Sequence, residues 1–92
     1  MLKSNLSKQA AKTLSKLPLK QAKQIARKIS QLQLNPKPQD TKKLINSDYL
    51  RVDSGEYRII YLINNEQNSL DILLIDKRND GEVYKHFKNL IK

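Results

Sequence analysis

The stretch EYRIIYLI, residues 56 to 63, limits the possible folds more than any other part of the chain. Its β-branched and aromatic residues favour an extended backbone. In a strand, Tyr57, Ile59, Tyr61 and Ile63 share one face, and Arg58, Ile60 and Leu62 share the other. Apolar residues on both faces mean a strand covered on both sides, so cover must come from elements elsewhere in the chain.

The preceding sequence supplies it. Residues 5 to 17, NLSKQAAKTLSKL, place Leu6, Ala10, Leu14 and Leu17 on one helical face, with Ser4, Asn5 or Ser7 as the cap. Met1 to Lys3 suit a short strand. Pro18 marks a break, and residues 19 to 34 then turn Ala22, Ile25, Ala26, Ile29 and Leu32 inward. Two antiparallel helices joined at a proline form a helical hairpin. NPKPQDTKK, residues 35 to 43, reads as a connecting loop, too short for a domain linker. The periodicity then changes to alternation. Residues 49 to 53 form one strand, joined through Ser54-Gly55 to the strand at 56 to 63; NNEQN turns into a third at 69 to 76. Beyond Asp80-Gly81, Val83, Phe87, Leu90 and Ile91 recur at helical spacing, which predicts a short C-terminal helix on the second sheet face. The expected architecture is a single α+β domain, residues 1–92, with the hairpin packed on a small antiparallel sheet.

Charge is unevenly distributed. Residues 1 to 39 hold nine Lys/Arg and no Asp/Glu, whereas residues 40 to 92 hold nine of each. The whole net charge of +9 therefore lies in the first 39 residues. Such a field attracts polyanions over about a Debye length, ~8 Å at physiological salt. Nucleic acid is the first candidate partner and an acidic protein the second; a merely solubilising charge is the bland alternative. There is no cysteine for a disulfide or thiolate site, and no apolar run approaches a membrane span. The N-terminus lacks a secretory apolar region. It shares the basic, acid-free character of a transit peptide but uses lysine, and its removal would take the helices with it. These features predict a soluble intracellular protein that does not engage a membrane.

Most enzyme signatures are missing. Two glycines cannot build a phosphate-cradling glycine-rich loop, and one histidine without cysteine cannot form the common metal clusters, so no metal or other cofactor is implied. Asp76, Asp80 and Glu82 lie among cations and suit turns, caps and ion pairs. What remains is basic and aromatic. Arg58 opens the second strand and Arg78 closes the third. If these strands pair through NNEQN, both arginines meet at one end of the sheet, where their planar, permanently charged groups suit a phosphate. Arg51 on the neighbouring strand joins them, and Tyr84, one turn into the last helix, overhangs the same edge with a phenol able to hydrogen-bond or stack. Structural alternatives stand beside each reading: Arg58 paired with Asp76 or Glu56, Arg78 capping a turn, Tyr84 covering the core, His86 an ordinary surface residue.

YLRVDSGEYRIIYLI followed by ILLIDKRNDGEVYKHF, with SKQAAKTLSKLP, NPKP and KKL upstream, resembles the RelE/ParE superfamily of bacterial toxin–antitoxin toxins over nearly the whole chain. The most specific parts are GEYRIIY and KRNDGEVY. The resemblance implies the RelE-like fold and, for the RelE branch, a ribosome-dependent mRNA endoribonuclease that cuts A-site codons by attack of a ribose 2′-hydroxyl on the adjacent phosphate. By that motif Arg58 and Arg78 stabilise phosphate charge, and Tyr84 stacks on the mRNA or assists proton transfer. RelE-type toxins usually carry two basic residues on the strand before YR; here only Arg51 stands there, behind Tyr49 and Leu50. The proton-transfer role therefore stays open among Lys77, Lys85 and His86. Lys12, Lys16, Lys20, Lys23, Arg27 and Lys28 become candidates for docking on ribosomal RNA, with a solvated helix face as the alternative. The implied partners are a cognate antitoxin, the ribosome and mRNA, with operator DNA reached only through the antitoxin, in the bacterial cytoplasm. Two other outcomes remain: inhibition of DNA gyrase, as in the ParE branch, or an inactive antitoxin-binding member.

Overall fold

The structure, a computed structural model, describes residues 1–77. In chain order the elements are β1 (Lys3–Leu6), α1 (Lys8–Lys16), α2 (Leu19–Leu34), β2 (Lys42–Lys43), β3 (Leu50–Ser54), β4 (Tyr57–Asn64) and β5 (Ser69–Lys77). They form one sheet in the order β1-β5-β4-β3-β2, with β4 at its centre as its apolar faces require. Ile59, Ile60 and Tyr61, three consecutive residues on alternating faces, are fully buried. Removing each such side chain from water stabilises the fold by about 1.5–3 kcal/mol.

On one face, Ala10 of α1 and Ile25, Ile29 and Leu32 of α2 pack against Leu50, Val52, Ile59, Tyr61, Leu70, Ile72 and Ile75. On the other, Leu44, Ile60 and Leu74 form a second, smaller cluster with Tyr49 and Leu73 at its margin. α2 spans the residues that its 3.6-residue pattern marks, but its buried stripe is narrower than expected. Ala26 is exposed, because the stripe centres on Ile25, Ile29 and Leu32 and Ala26 lies a further ~100° around the helix.

The N-terminus departs from the expected all-antiparallel arrangement. A strand does form there, but it runs Lys3–Leu6 rather than Met1 to Lys3, and it pairs with β5 in parallel, Lys3 opposite Ser69 and Leu6 opposite Ile72. Leu6 is thus a strand residue and α1 begins at Lys8. Ser7 decides the boundary. Its Oγ accepts the Ala10 N–H at 3.0 Å, an N-cap, and donates to the Leu73 carbonyl, while its own N–H reaches the Ile72 carbonyl at 2.9 Å. Past β1, the Gln9 side-chain amide continues the pairing: Oε1 accepts the Ile75 N–H and Nε2 donates to the Ile75 carbonyl, both at 3.2 Å. The expected 35–43 loop holds the two-residue strand β2 at its end and is strapped to the core by Tyr61, whose hydroxyl donates to the Pro36 carbonyl at 2.7 Å. Burial pushes the Tyr61 phenol up in pKa, against a smaller lowering by Thr41.

The β3–β4 turn is Gly55-Glu56, since Ser54 pairs with Tyr57. Gly55 has φ +60° and Glu56 has a negative φ, the pattern of a two-residue hairpin turn with glycine first. A Cβ at Gly55 would also stand 2.6 Å from Gln24 Oε1 on α2. Gly55→Ala is expected to cost about 1–2 kcal/mol from the left-handed backbone alone, lowering Tm by roughly 5–10 °C in a domain of this size, as thermal denaturation would show.

Asp71, half-buried on β5, accepts hydrogen bonds from Asn5 at 3.0 Å, Ser69 at 2.9 Å and Asn64 at 3.4 Å. Burial alone would raise its pKa, but the three hydrogen bonds outweigh burial and hold the carboxyl below its ordinary value. A carboxyl lowered in this way contributes stability that is present above its unfolded-state pKa, about 3.9, and is lost as pH falls through the lower folded-state value. Urea midpoints should therefore show Asp71→Asn less stable than the wild type at pH 7, with the gap closing as pH drops below about 4.

Candidate nucleic-acid interface

Alternation along the central strands sorts the candidate residues by face. Leu50, Val52, Tyr57, Ile59 and Ile75 face the helices. Arg51, Asp53, Arg58 and Asp76, their neighbours in sequence, consequently project from the opposite face. The register aligns them in rows across the sheet. Lys42, Arg51, Ile60 and Leu74 form one row; Asp53, Arg58 and Asp76 form the next, toward the Gly55 turn. Arg51 and Arg58 are thus diagonal neighbours on one face, not directly opposite as a Ser54-Gly55 turn would set them. Lys77 pairs with Tyr57 and so falls on the helix-side face. Arg78, Tyr84, Lys85, His86 and the expected C-terminal helix lie outside the described residues.

Arg58 has an acidic partner that the sequence reading did not name. Its Nε donates to Asp53 Oδ1 at 2.7 Å and its Nη2 to Oδ2 at 3.5 Å. Asp53 is directly opposite on β3, and Asp76, one of the two acids considered from sequence, is directly opposite on β5. The arginine therefore sits between two carboxylates on the neighbouring strands. The missed signal was the glycine: a two-residue turn with Gly55 at its first position sets Asp53, not Arg51, across from Arg58.

The helices carry a separate cationic surface. Lys12 and Lys16 on α1 are exposed, as are Lys20, Lys23 and Arg27 on α2. Lys20, Lys23, Gln24 and Arg27 line one shallow depression, and Gln24 is the residue that abuts Gly55. This stripe therefore meets the sheet at the end that carries Arg58. Lys28 differs from the others: its Nζ forms a 3.0 Å ion pair with Asp40, and its side chain is only 19% exposed. Among the described residues no group of three or more His, Cys, Asp or Glu is placed to hold a metal ion, and no helix is long and apolar enough to cross a membrane.

Two helices packed on a five-stranded, mostly antiparallel sheet are also the fold of solved RelE toxins. An E. coli RelE variant in the free state is 20% identical over 99% of this chain and 98% of its own, with a TM-score of 0.82. The RelE of an archaeal RelE–RelB complex from Pyrococcus horikoshii is 27% identical over 86% of this chain and 97% of its own, TM-score 0.76. A chain of the RelBE2 toxin–antitoxin complex from Mycobacterium tuberculosis is 24% identical over 84% and 98%, TM-score 0.73. No curated protein sequence matches. The family model for the ParE toxin of type II toxin–antitoxin systems matches residues 5–81. The chain belongs to that family, and so to the RelE/ParE superfamily.

Proposed function

We propose that this toxin is an mRNA interferase: a ribosome-dependent endoribonuclease that cuts codons in the A site and so inhibits translation. The ribose 2′-hydroxyl attacks the adjacent phosphorus, the P–O5′ bond breaks, and a 2′,3′-cyclic phosphate and a 5′-hydroxyl remain. The observation that carries the reading is Arg58, held on a rigid central strand with Arg51 as its diagonal neighbour, at the sheet end where the α2 stripe arrives. A preorganised guanidinium acts on charge that develops at the phosphorane, without reorganising during the step. In this reading Arg78 is the second such cation and Tyr84 stacks on the mRNA or assists proton transfer, with Lys77, Lys85 and His86 as further proton-transfer candidates. Lys12, Lys16, Lys20, Lys23 and Arg27 dock on ribosomal RNA. A cognate antitoxin, of the kind present in the RelB-containing complexes of its structural relatives, holds the toxin inactive in the cytoplasm.

A second reading has its own support. The matching family model is that of ParE, and Arg58 is ion-paired rather than held among cations only. A ParE-like toxin would inhibit DNA gyrase and leave mRNA intact, and a supercoiling assay with purified gyrase distinguishes the two.

Primer extension on a reporter mRNA after induction should find cuts confined to translated codons. Arg58→Ala should reduce cutting by about 10²–10³-fold, the scale for loss of one charge-stabilising group, and Arg78→Ala should abolish it without unfolding the protein. Undiminished cutting by the double variant would refute the reading. Replacing Lys20, Lys23 and Arg27 together by alanine should weaken ribosome binding and flatten its dependence on log salt by roughly two to three, close to one unit per lost phosphate contact.

A further inference from the structure

We propose that Asp53 is a positioning residue for Arg58, an inference that rests on the nuclease reading above. Two guanidinium donors on one side of the group reach Asp53, Nε at 2.7 Å and Nη2 at 3.5 Å. A two-point contact fixes the plane and direction of the group as well as its location. The acid itself is firmly held. Asp53 and Arg58 form a rung of the β3–β4 ladder, one residue pair from the Gly55-Glu56 turn. The arginine side chain is 14% exposed and that of Asp53 34%, so the pair is partly withdrawn from solvent and from screening salt.

A carboxylate beside a phosphate-binding arginine is a poor arrangement for attraction, because it cancels local positive charge. It suits orientation. A misplacement of about 1 Å at a reacting centre can cost ~100-fold in rate, and arginine has a long, flexible side chain. Asp76 stands on the opposite rung, so Arg58 has a carboxylate on each neighbouring strand. Charge and orientation therefore make opposite predictions for the same substitution. If Asp53 only lowers the local charge, its neutral isostere binds RNA more tightly and cuts at least as fast. If it positions Arg58, the isostere binds as well or better and cuts more slowly.

The test measures single-turnover cleavage of a ribosome-bound mRNA together with ribosome affinity. Asp53→Asn is expected to slow cleavage by about 10- to 100-fold with affinity unchanged or tighter, and Asp53→Glu, which retains the carboxylate, to recover part of the rate. A wild-type rate in Asp53→Asn overturns the proposal. So does a loss that appears only as weaker binding or a smaller folded fraction. A wild-type protein that cuts no mRNA sinks the nuclease reading, and the claim about Asp53 is then decided by proton–nitrogen spectra of the arginine side chains. One sharp, slowly exchanging Arg58 Nε–H signal that disappears in Asp53→Asn supports a fixed guanidinium; a motionally averaged signal in the wild type refutes it.

Discussion

Between Ile60 and Tyr61 of β4 the pairing with β5 skips one residue, so that Ile60 faces Leu74 and Tyr61 faces Ile72. The extra residue is Leu73, and it reverses the phase of β5. Strict alternation would put Leu70, Ile72, Leu74 and Asp76 on one face. With the bulge, Leu70, Ile72 and Ile75 lie under the helices, while Leu74 joins Ile60 and Leu44 on the other side. Asp76 consequently reaches the face of Arg58 instead of the helix-side core. Bulges disrupt the local ladder and are held where other groups satisfy the backbone they leave unpaired. Here the N-terminal segment does so: Ser7 bonds the Ile72 and Leu73 carbonyls, and Gln9 bonds both backbone groups of Ile75. One short stretch thus ends β1, caps α1 and fixes the outlet of β5.

The β3–β4 hairpin fixes the site from the other direction. Gly55 permits a two-residue turn, and Gln24 packs against the space where a side chain would stand. The turn sets the register, and the register sets which charge Arg58 meets. Shifting the turn back by one residue, to Ser54-Gly55, would pair Arg51 with Arg58. The actual turn pairs Asp53 with Arg58 and moves Arg51 one row away. A change of one loop position exchanges repulsion between two guanidiniums for a 2.7 Å charge-assisted hydrogen bond.

That sensitivity explains what could be read from the residues alone. The order of α1, α2, β3, β4 and β5, the limits of α2 and the two-sided burial of β4 all follow from patterns averaged over many residues, so local ambiguity does little harm. The bulge at Leu73 leaves no such trace, because LLI offers an apolar side chain to either face in either phase. β1 was obscured for a related reason. Leu6 fits the helical stripe of Ala10 and Leu14, and only the unpaired edge of β5, a distant part of the chain, draws it into a strand. The ion pair of Arg58 was missed for a third reason: its identity depends on a single-residue register that alternation does not resolve and only the place of Gly55 in the turn sets. The cationic stripe on α2 was legible because surface charge needs no register. Lys28 was the exception there, since its partner Asp40 comes from the following loop.

Under the nuclease reading, the two charged regions would divide the work of recognition by range. The helices carry the unbalanced positive charge, on exposed side chains that attract a polyanion from a distance, fade with added salt and discriminate little. The row through Arg58 is the reverse. Asp53, Arg58 and Asp76 together carry a formal charge of −1, so that row by itself draws no polyanion from solution. Its donors would act only on a group already brought to the edge of the sheet, and only at the angle the ladder permits. A toxin built this way would bind polyanions broadly through its helices and act on very few of them. The restriction would lie at the arginine: a phosphate would have to arrive in a geometry that competes with, or complements, the carboxylate already bound there. Docking on a large assembly that presents RNA in one fixed pose is a way to meet that condition, whereas free RNA in many conformations would rarely do so.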